Sequence, residues 1–298
     1  MSGVAAGLRG EDRGYFFVVG QARSGTNWTC RLLNLHPAVR GHGEFHFERL
    51  RSGVTEFTRN PNALGAHEPL ASKSTRWFEE FVRSTLDDLR HEAPEARWVG
   101  DRTPRPLEPL IPDARHFLVI RDGRDVVVSR AHHQMRMGGP WKEPFRTTMQ
   151  EHAEAFRADP DYFRRHPDRL FADSEWLGVL AAAWSNRMRS DEEGRARFAS
   201  GEWSGACQVV RYEDIHANTE RERNRMYEFL SLDSSRAAAL SPESQTSAGF
   251  DREQPHSLSR RGESGGWKDH ADDRFRETFK RHAGEALIEF GYEQDLNW

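Results

Sequence analysis

The chain has 298 residues and a formal net charge of -4 from 43 basic and 47 acidic residues, a balance that gives no reason to expect a nucleic-acid or polyanion binder. Two cysteines, Cys30 and Cys207, argue against a disulfide framework and for a reducing cytosol. No apolar run approaches a membrane span, and residues 1–14 lack the basic start and apolar stretch of a signal peptide. A cytoplasmic protein is therefore expected, long enough to bury one sizeable core. Lysine occurs only at positions 73, 142, 268 and 280, so arginine carries most of the positive charge; a GC-rich bacterial genome is the simplest cause.

Residues 1–13 are small and polar and are expected to fray, leaving 14–298 as a single domain. The run Tyr15-Phe16-Phe17-Val18-Val19 ends in Gly20 and suits a strand buried on both faces of a parallel sheet. A Gly/Ser loop and a helix to about Leu35 follow, stopped by His36-Pro37. A helical pattern covers roughly 74–91. The second buried strand is His116-Phe117-Leu118-Val119-Ile120, which runs into Arg121-Asp122-Gly123-Arg124 and a further helix. Residues 132–172, with Trp141, Phe145, Tyr162, Phe163, Arg164 and Arg165, read as a helical lid whose rings and cations line an acceptor pocket or pack the insert. A helix over 173–190 leads to the third strand, Cys207 to Tyr212, then to a helix from about Asp214 to Phe229 and another over 271–290. Strands alternating with helices predict a three-layer α/β fold of P-loop type with a mostly parallel central sheet. Ligands in such folds bind at the carboxyl ends of strands, here Gly20, Arg121 and Tyr212.

The first of these ends has the chemistry of a phosphate cradle. In Gly20-Gln21-Ala22-Arg23-Ser24-Gly25-Thr26-Asn27-Trp28 the two glycines have P-loop spacing, so backbone N–H groups and a helix N-terminus converge on an anion. The nucleotide-kinase pattern puts Lys after the last Gly, where Thr26 stands here, and the cation comes earlier, at Arg23. An ATP-using enzyme needs that Lys and Mg²⁺; a donor with one phosphate carrying a sulfuryl group does not. At the second end, Arg121 offers a planar fork for phosphate oxygens, and Ser129, two turns into the next helix, reaches back to the same anion. Asp122 and Asp125 also suit the helix start as cap and charge. Near the C-terminus, Arg260-Arg261-Gly262-Glu263-Ser264-Gly265-Gly266-Trp267-Lys268 puts cations beside three glycines.

These three segments, in this order over about residues 15–270, resemble the PAPS-dependent sulfotransferase family (PAPS is 3′-phosphoadenosine-5′-phosphosulfate), in particular its bacterial and tyrosylprotein branches. The resemblance implies that Arg23, Ser24, Gly25, Thr26 and Asn27 hold the 5′-phosphate, with Arg23 in place of a common lysine. It implies that Trp28 stacks on adenine near Tyr212, and that Arg121 and Ser129 bind the 3′-phosphate under Arg260, Arg261 and Gly262. Thr246 and Ser247 match a further adenine contact loosely. PAPS is then the co-substrate, adenosine 3′,5′-bisphosphate (PAP) the product, and no metal is required.

Many cytosolic members place a catalytic histidine after a Lys-Thr pair, but the matching stretch here is Asp101-Arg102-Thr103-Pro104. Arg102 remains able to donate to the transferring group. The resemblance moves the base to the segment 36–47, where Glu44 matches the glutamate of related branches; His42 and His46 are its rivals, being closer to neutral pKa without perturbation. His132 and His133 are more remote. Were 42–46 a strand, His42, Glu44 and His46 would share one face and offer a zinc site. The expected acceptor is a small molecule, aromatic or a natural product, with neither nucleic acid nor membrane as partner. The alternatives are a PAP-binding module that has lost its base, and a P-loop kinase.

Overall fold

A computed structural model describes residues 13–59, 68–139, 141–241 and 264–298. In chain order it runs β1 (Gly14–Gly20), α1 (Thr26–Leu33), β2 (Val39–His42), α2 (Phe47–Arg59), α3 (Glu68–Glu92), β3 (Trp98–Arg102), β4 (Arg115–Ile120) and α4 (Gly123–Met137). There follow α5 (Arg146–Ala158), α6 (Tyr162–Arg165), α7 (Pro167–Leu170), α8 (Ser174–Ala199), β5 (Ala206–Arg211), α9 (Tyr212–Ala217), α10 (Thr219–Phe229) and α11 (Asp273–Glu289). The strands form one parallel sheet in the order β2-β3-β1-β4-β5. The α/β expectation from the alternating pattern is met.

Both faces of the sheet are covered, as the unbroken apolar runs demand. Phe16, Val18, Phe117 and Val119 point to one side and pack with Leu32, Leu33, Met226 and Tyr227 of α1 and α10. Phe17, Val19 and Leu118 point to the other, against Phe78, Val82 and Leu86 of α3. Alternation along each strand thus feeds two separate cores from one sequence run. A third core lies beyond α4, where α8 and α11 bury Trp184, Leu177, Phe275 and Phe279.

The chain from Thr219 does not continue the helix begun at Tyr212. Asn218 stands between α9 and α10, and its side-chain oxygen accepts from the Arg221 N–H at 3.0 Å, which restarts the helix. The segment expected as a lid is α5 to α7. Its rings pack: Phe163 is buried in the third core, and Trp141, Phe145 and Tyr162 lie partly buried against it. Arg164 and Arg165 pair with Asp161 and Asp159 at the surface. Among the described residues no helix is long and apolar enough to cross a membrane.

Phe117 is fully buried between Phe16 (centroids 6.1 Å apart) and Phe229 (5.3 Å) at the middle of the sheet. Phe117→Ala is expected to lower the unfolding free energy by about 3–5 kcal/mol, measured by urea titration; a loss no larger than that of an exposed control such as Phe57→Ala would show that the sheet does not carry the core.

Candidate active site

The loop after β1 owes its shape to two residues with positive φ. Arg23 (φ 78°) and Gly25 (φ 106°) turn the chain back before α1. At position 25 a Cβ would also lie 2.5 Å from the Tyr212 ring, so glycine is demanded twice over. Gly25 is the N-cap of α1 and no side chain caps it, which leaves the first-turn N–H groups facing outward for an anion. Ser24 is buried and donates its hydroxyl to the Gln21 carbonyl at 2.7 Å, so it closes the loop from within. Thr26 and Asn27 begin the helix beside it.

The second motif meets the first across 106 residues. Arg23 Nε donates to Ser129 Oγ at 3.2 Å. Arg121 donates to the Arg23 carbonyl at 3.2 Å, lies 3.7 Å from Asp125 and stacks 3.9 Å from the Tyr212 ring centroid. The ends of β1, β4 and β5 thus converge, as the sequence expects. Trp28 differs: at 1 % exposure, edge-on to Tyr212 at 5.5 Å, it belongs to the core and offers no open platform for a base. It supports Tyr212 instead.

Asp122 and Asp125 divide two tasks. Asp122 caps α4, accepting from the Arg124 N–H at 2.9 Å and from the Arg124 guanidinium. Burial pushes its carboxyl up while Arg124 holds it down. Asp125 instead accepts from the N–H groups of Gly265 (2.7 Å) and Trp267 (3.0 Å), so it fastens the C-terminal glycine-rich motif to the second one. Arg260, Arg261 and Gly262 of that motif, with Thr246 and Ser247, lie outside the described residues.

The segment after β2 is not the strand that a zinc site would need. β2 stops at His42, and the chain turns at His46 (φ 55°), so His42, Glu44 and His46 do not share a strand face. Arg102 packs against this turn: a Cβ on Gly43 would lie 2.6 Å from its guanidinium, and Arg102 Nη1 donates to Glu44 Oε1 at 2.6 Å. Buried Asp101 fixes the same turn by accepting from the Phe45 N–H at 3.1 Å and from Thr103 at 2.6 Å. His46 sits between Glu44 (3.4 Å) and Glu48 (3.1 Å), and His42 stacks on Phe45 at 5.1 Å. Glu44 is 34 % exposed rather than buried.

A cleft of about 620 Å³ opens beside the loop, floored by Gln21, Ala22 and Arg23 and bounded by Pro104. Its walls are two helices: α4 gives Arg130, His133 and Gln134, and α8 gives Asn186, Arg187 and Ser190. His133 is half-buried; burial first, then Arg23 and Arg136, push its pKa down, against a smaller opposing pull from Glu44. It shares the cleft lining with Arg23. The sequence held a signal for it, since His133 is one turn beyond Ser129 on the same helix face. For Asn186 and Arg187 no such signal exists, because only tertiary packing brings α8 here.

A model of the sulfotransferase family matches residues 16–179. No curated protein matches the sequence significantly. Among solved structures, a mouse sulfotransferase complexed with PAP is 15 % identical over 95 % of this chain and 90 % of its own, at a TM-score of 0.45. A sulfotransferase domain of the curacin biosynthetic pathway is 13 % identical over 94 % of this chain and 98 % of its own, at 0.49. A sulfotransferase of Mycobacterium avium is 13 % identical over 94 % and 77 %, at 0.45.

Asp191, on α8 just past Ser190, supplies a pH test of this wall. It is buried, accepts from the Leu107 N–H at 2.8 Å, and burial raises its pKa to about 6 against the pull of that N–H, Arg187 and Arg105. A carboxyl raised in the folded state binds protons more tightly there, so its contribution to stability is lost as pH rises through about 6. Asp191→Asn is expected to gain stability relative to wild type as pH rises from about 4 to about 6, by about 1–3 kcal/mol over that range, in denaturation at stepped pH. A difference that stays flat with pH would remove Asp191 from the account.

Proposed function

The chain belongs to the sulfotransferase family, and we propose that it transfers a sulfuryl group from PAPS to a hydroxyl or amine of a small molecule, releasing PAP. One observation carries the site assignment: the 3.2 Å bond from Arg23 to Ser129, which joins the cation of the first motif to the hydroxyl of the second. The loop at 20–26 fits the 5′-phosphosulfate, with an uncapped helix start and a guanidinium beside it. Arg121 and Ser129 fit the 3′-phosphate.

In this reading the acceptor oxygen or nitrogen enters from the cleft and attacks sulfur as the bond from sulfur to the 5′-phosphate oxygen breaks. The bond electrons leave with that oxygen. The sulfuryl group passes through a loose, SO₃-like arrangement, by analogy with phosphoryl transfer. Arg23 and the N–H groups of the α1 start stabilise charge on the departing oxygen, and Arg102 reaches the equatorial oxygens. The acceptor's proton goes to Glu44, with His133 as the second candidate because burial favours its uncharged form and it lines the cleft. No step calls for a metal ion. The two free cysteines suit a cytoplasmic setting.

Calorimetric titration tests the nucleotide. PAP is expected to bind far more tightly than AMP, and Ser129→Ala to weaken PAP by about tenfold while leaving AMP alone; equal affinities for the two nucleotides would refute the 3′-phosphate site. Steady-state kinetics tests the base. Glu44→Gln is expected to lower kcat by about 10²–10⁴ with PAP affinity kept, and His133→Gln to do less. The reverse order would move the proton to His133. Turnover is expected to survive EDTA, and its abolition with rescue by Mg²⁺ would count against the proposed chemistry.

A further inference from the structure

Two packed helices normally share an apolar seam, yet where α4 and α8 flank the cleft the facing stripes are polar. Arg130, His133 and Gln134 stand at positions i, i+3 and i+4 of α4, and Asn186, Arg187 and Ser190 at i, i+1 and i+4 of α8. Such spacing places each trio on one helix face. The half-buried guanidinium of Arg130 is perturbed by burial and by Arg187, a like charge. Among the described residues Arg130 has no ion pair. Arg187 donates to the Gly20 carbonyl at 3.4 Å, and Asp191, the acid that acts on it, is buried and held by the Leu107 N–H. Two cations facing one cleft without an acid between them repel each other, and desolvation adds to the cost. Beside them, Gln134 Oε1 and Gln21 Oε1 are buried with no hydrogen-bond partner. The two guanidinium groups are completed by an anion, and the two amide oxygens, which only accept, by a hydroxyl of the same molecule.

The nucleotide's two phosphates already have their own cations, Arg23 and Arg121, at the loop and at the end of β4. Arg130 and Arg187 line the cleft from α4 and α8 beside the loop, where in this reading the acceptor enters. We infer that the acceptor is itself an anion, a hydroxyl compound carrying a carboxylate or a phosphate monoester, and that this group docks between Arg130 and Arg187. The inference rests on the sulfotransferase reading. It makes specificity a property of this seam: a neutral analogue leaves the two guanidinium groups unpaired, which is the strong form of rejection open to a polar site. The apolar edges Ala22, Pro104 and Ala183 accept the body of the molecule.

The test uses the full-length protein saturated with PAP, and three probes built on one hydroxyphenyl body: the carboxylate, the phosphate monoester and the neutral amide. Thermal unfolding comes first. PAP alone must raise Tm; failure there strikes at the sulfotransferase reading, not at this one. With PAP bound, the carboxylate or the phosphate is expected to raise Tm further and the amide not to, and whichever anion gives the larger shift names the group. Arg130→Gln and Arg187→Gln are expected to keep the PAP shift and to lose the anion's. In turnover with PAPS, the ratio of kcat/KM for anion over amide is expected to be about tenfold or more in wild type and to fall toward unity in both variants. An amide that stabilises as well as either anion, or no stabilisation by any probe, overturns the inference. Loss of PAP affinity in the Arg130 and Arg187 variants would assign these arginines to the donor and overturn it as well.

Discussion

The site hangs on the Arg121 guanidinium. It leaves the end of β4, donates to the carbonyl of Arg23 in the loop after β1, faces Asp125 in the first turn of α4 and stacks on Tyr212 at the start of α9. Three strand ends that are distant in sequence are thereby held in register by one side chain. A planar, permanently charged group can do this because its faces stack while its edges donate. Lysine would keep the charge and lose both the stack and the fork. The glycine at position 25 belongs to the same constraint, since only its missing Cβ lets Tyr212 come close enough to receive the guanidinium.

Around that centre the charges are arranged in layers. Arg124, next but two in sequence, faces away from the cleft and is enclosed by Trp267 at 3.9 Å and Trp298 at 4.5 Å, with Asp122 and Glu293 as partners. It serves cohesion between α4 and the C-terminal segment. Asp125 points toward that segment as well and takes two backbone N–H groups from it. Between Arg121 and Arg124 the chain thus passes from the candidate site to the packing of the C-terminal segment within one helical turn. That change of role reflects the 3.6-residue period: neighbours in sequence face different compartments.

Much of this was legible in the sequence, and the omissions have physical causes. β1 and β4 were readable because strands buried on both faces show as unbroken apolar runs, and β5, at the other edge, because Val209-Val210 leads into a helix start. β2 and β3 were not: Val39-Arg40-Gly41-His42 is short and lies at the sheet edge, and Trp98-Val99-Gly100-Asp101-Arg102 is interrupted by Gly100, where a Cβ would strike the Phe16 carbonyl at 2.2 Å. The phosphate loop and the Arg121–Ser129 pair were readable because their spacing is local. That Trp28 is buried against Tyr212 was not legible, because a motif gives identity and not exposure. That β2 stops at His42 and the chain turns at His46 was likewise not encoded in the spacing of His42, Glu44 and His46. The α8 wall of the cleft lies some 160 residues from the loop it faces, a juxtaposition that no local pattern encodes.

The strand order carries a consequence for biosynthesis. β1 is the middle strand, and both of its neighbours, β3 and β4, come later in the chain, the second ending at Ile120. At about 5–20 residues per second, the ribosome needs several seconds beyond Gly20 to deliver them. Throughout that interval Phe16-Phe17-Val18-Val19 is an unpaired apolar β-former with no partner made yet, the kind of segment that associates with copies of itself. Parallel pairing across long loops is slow in any case. The nascent chain thus carries its most aggregation-prone segment unpaired until β3 and β4 have been made.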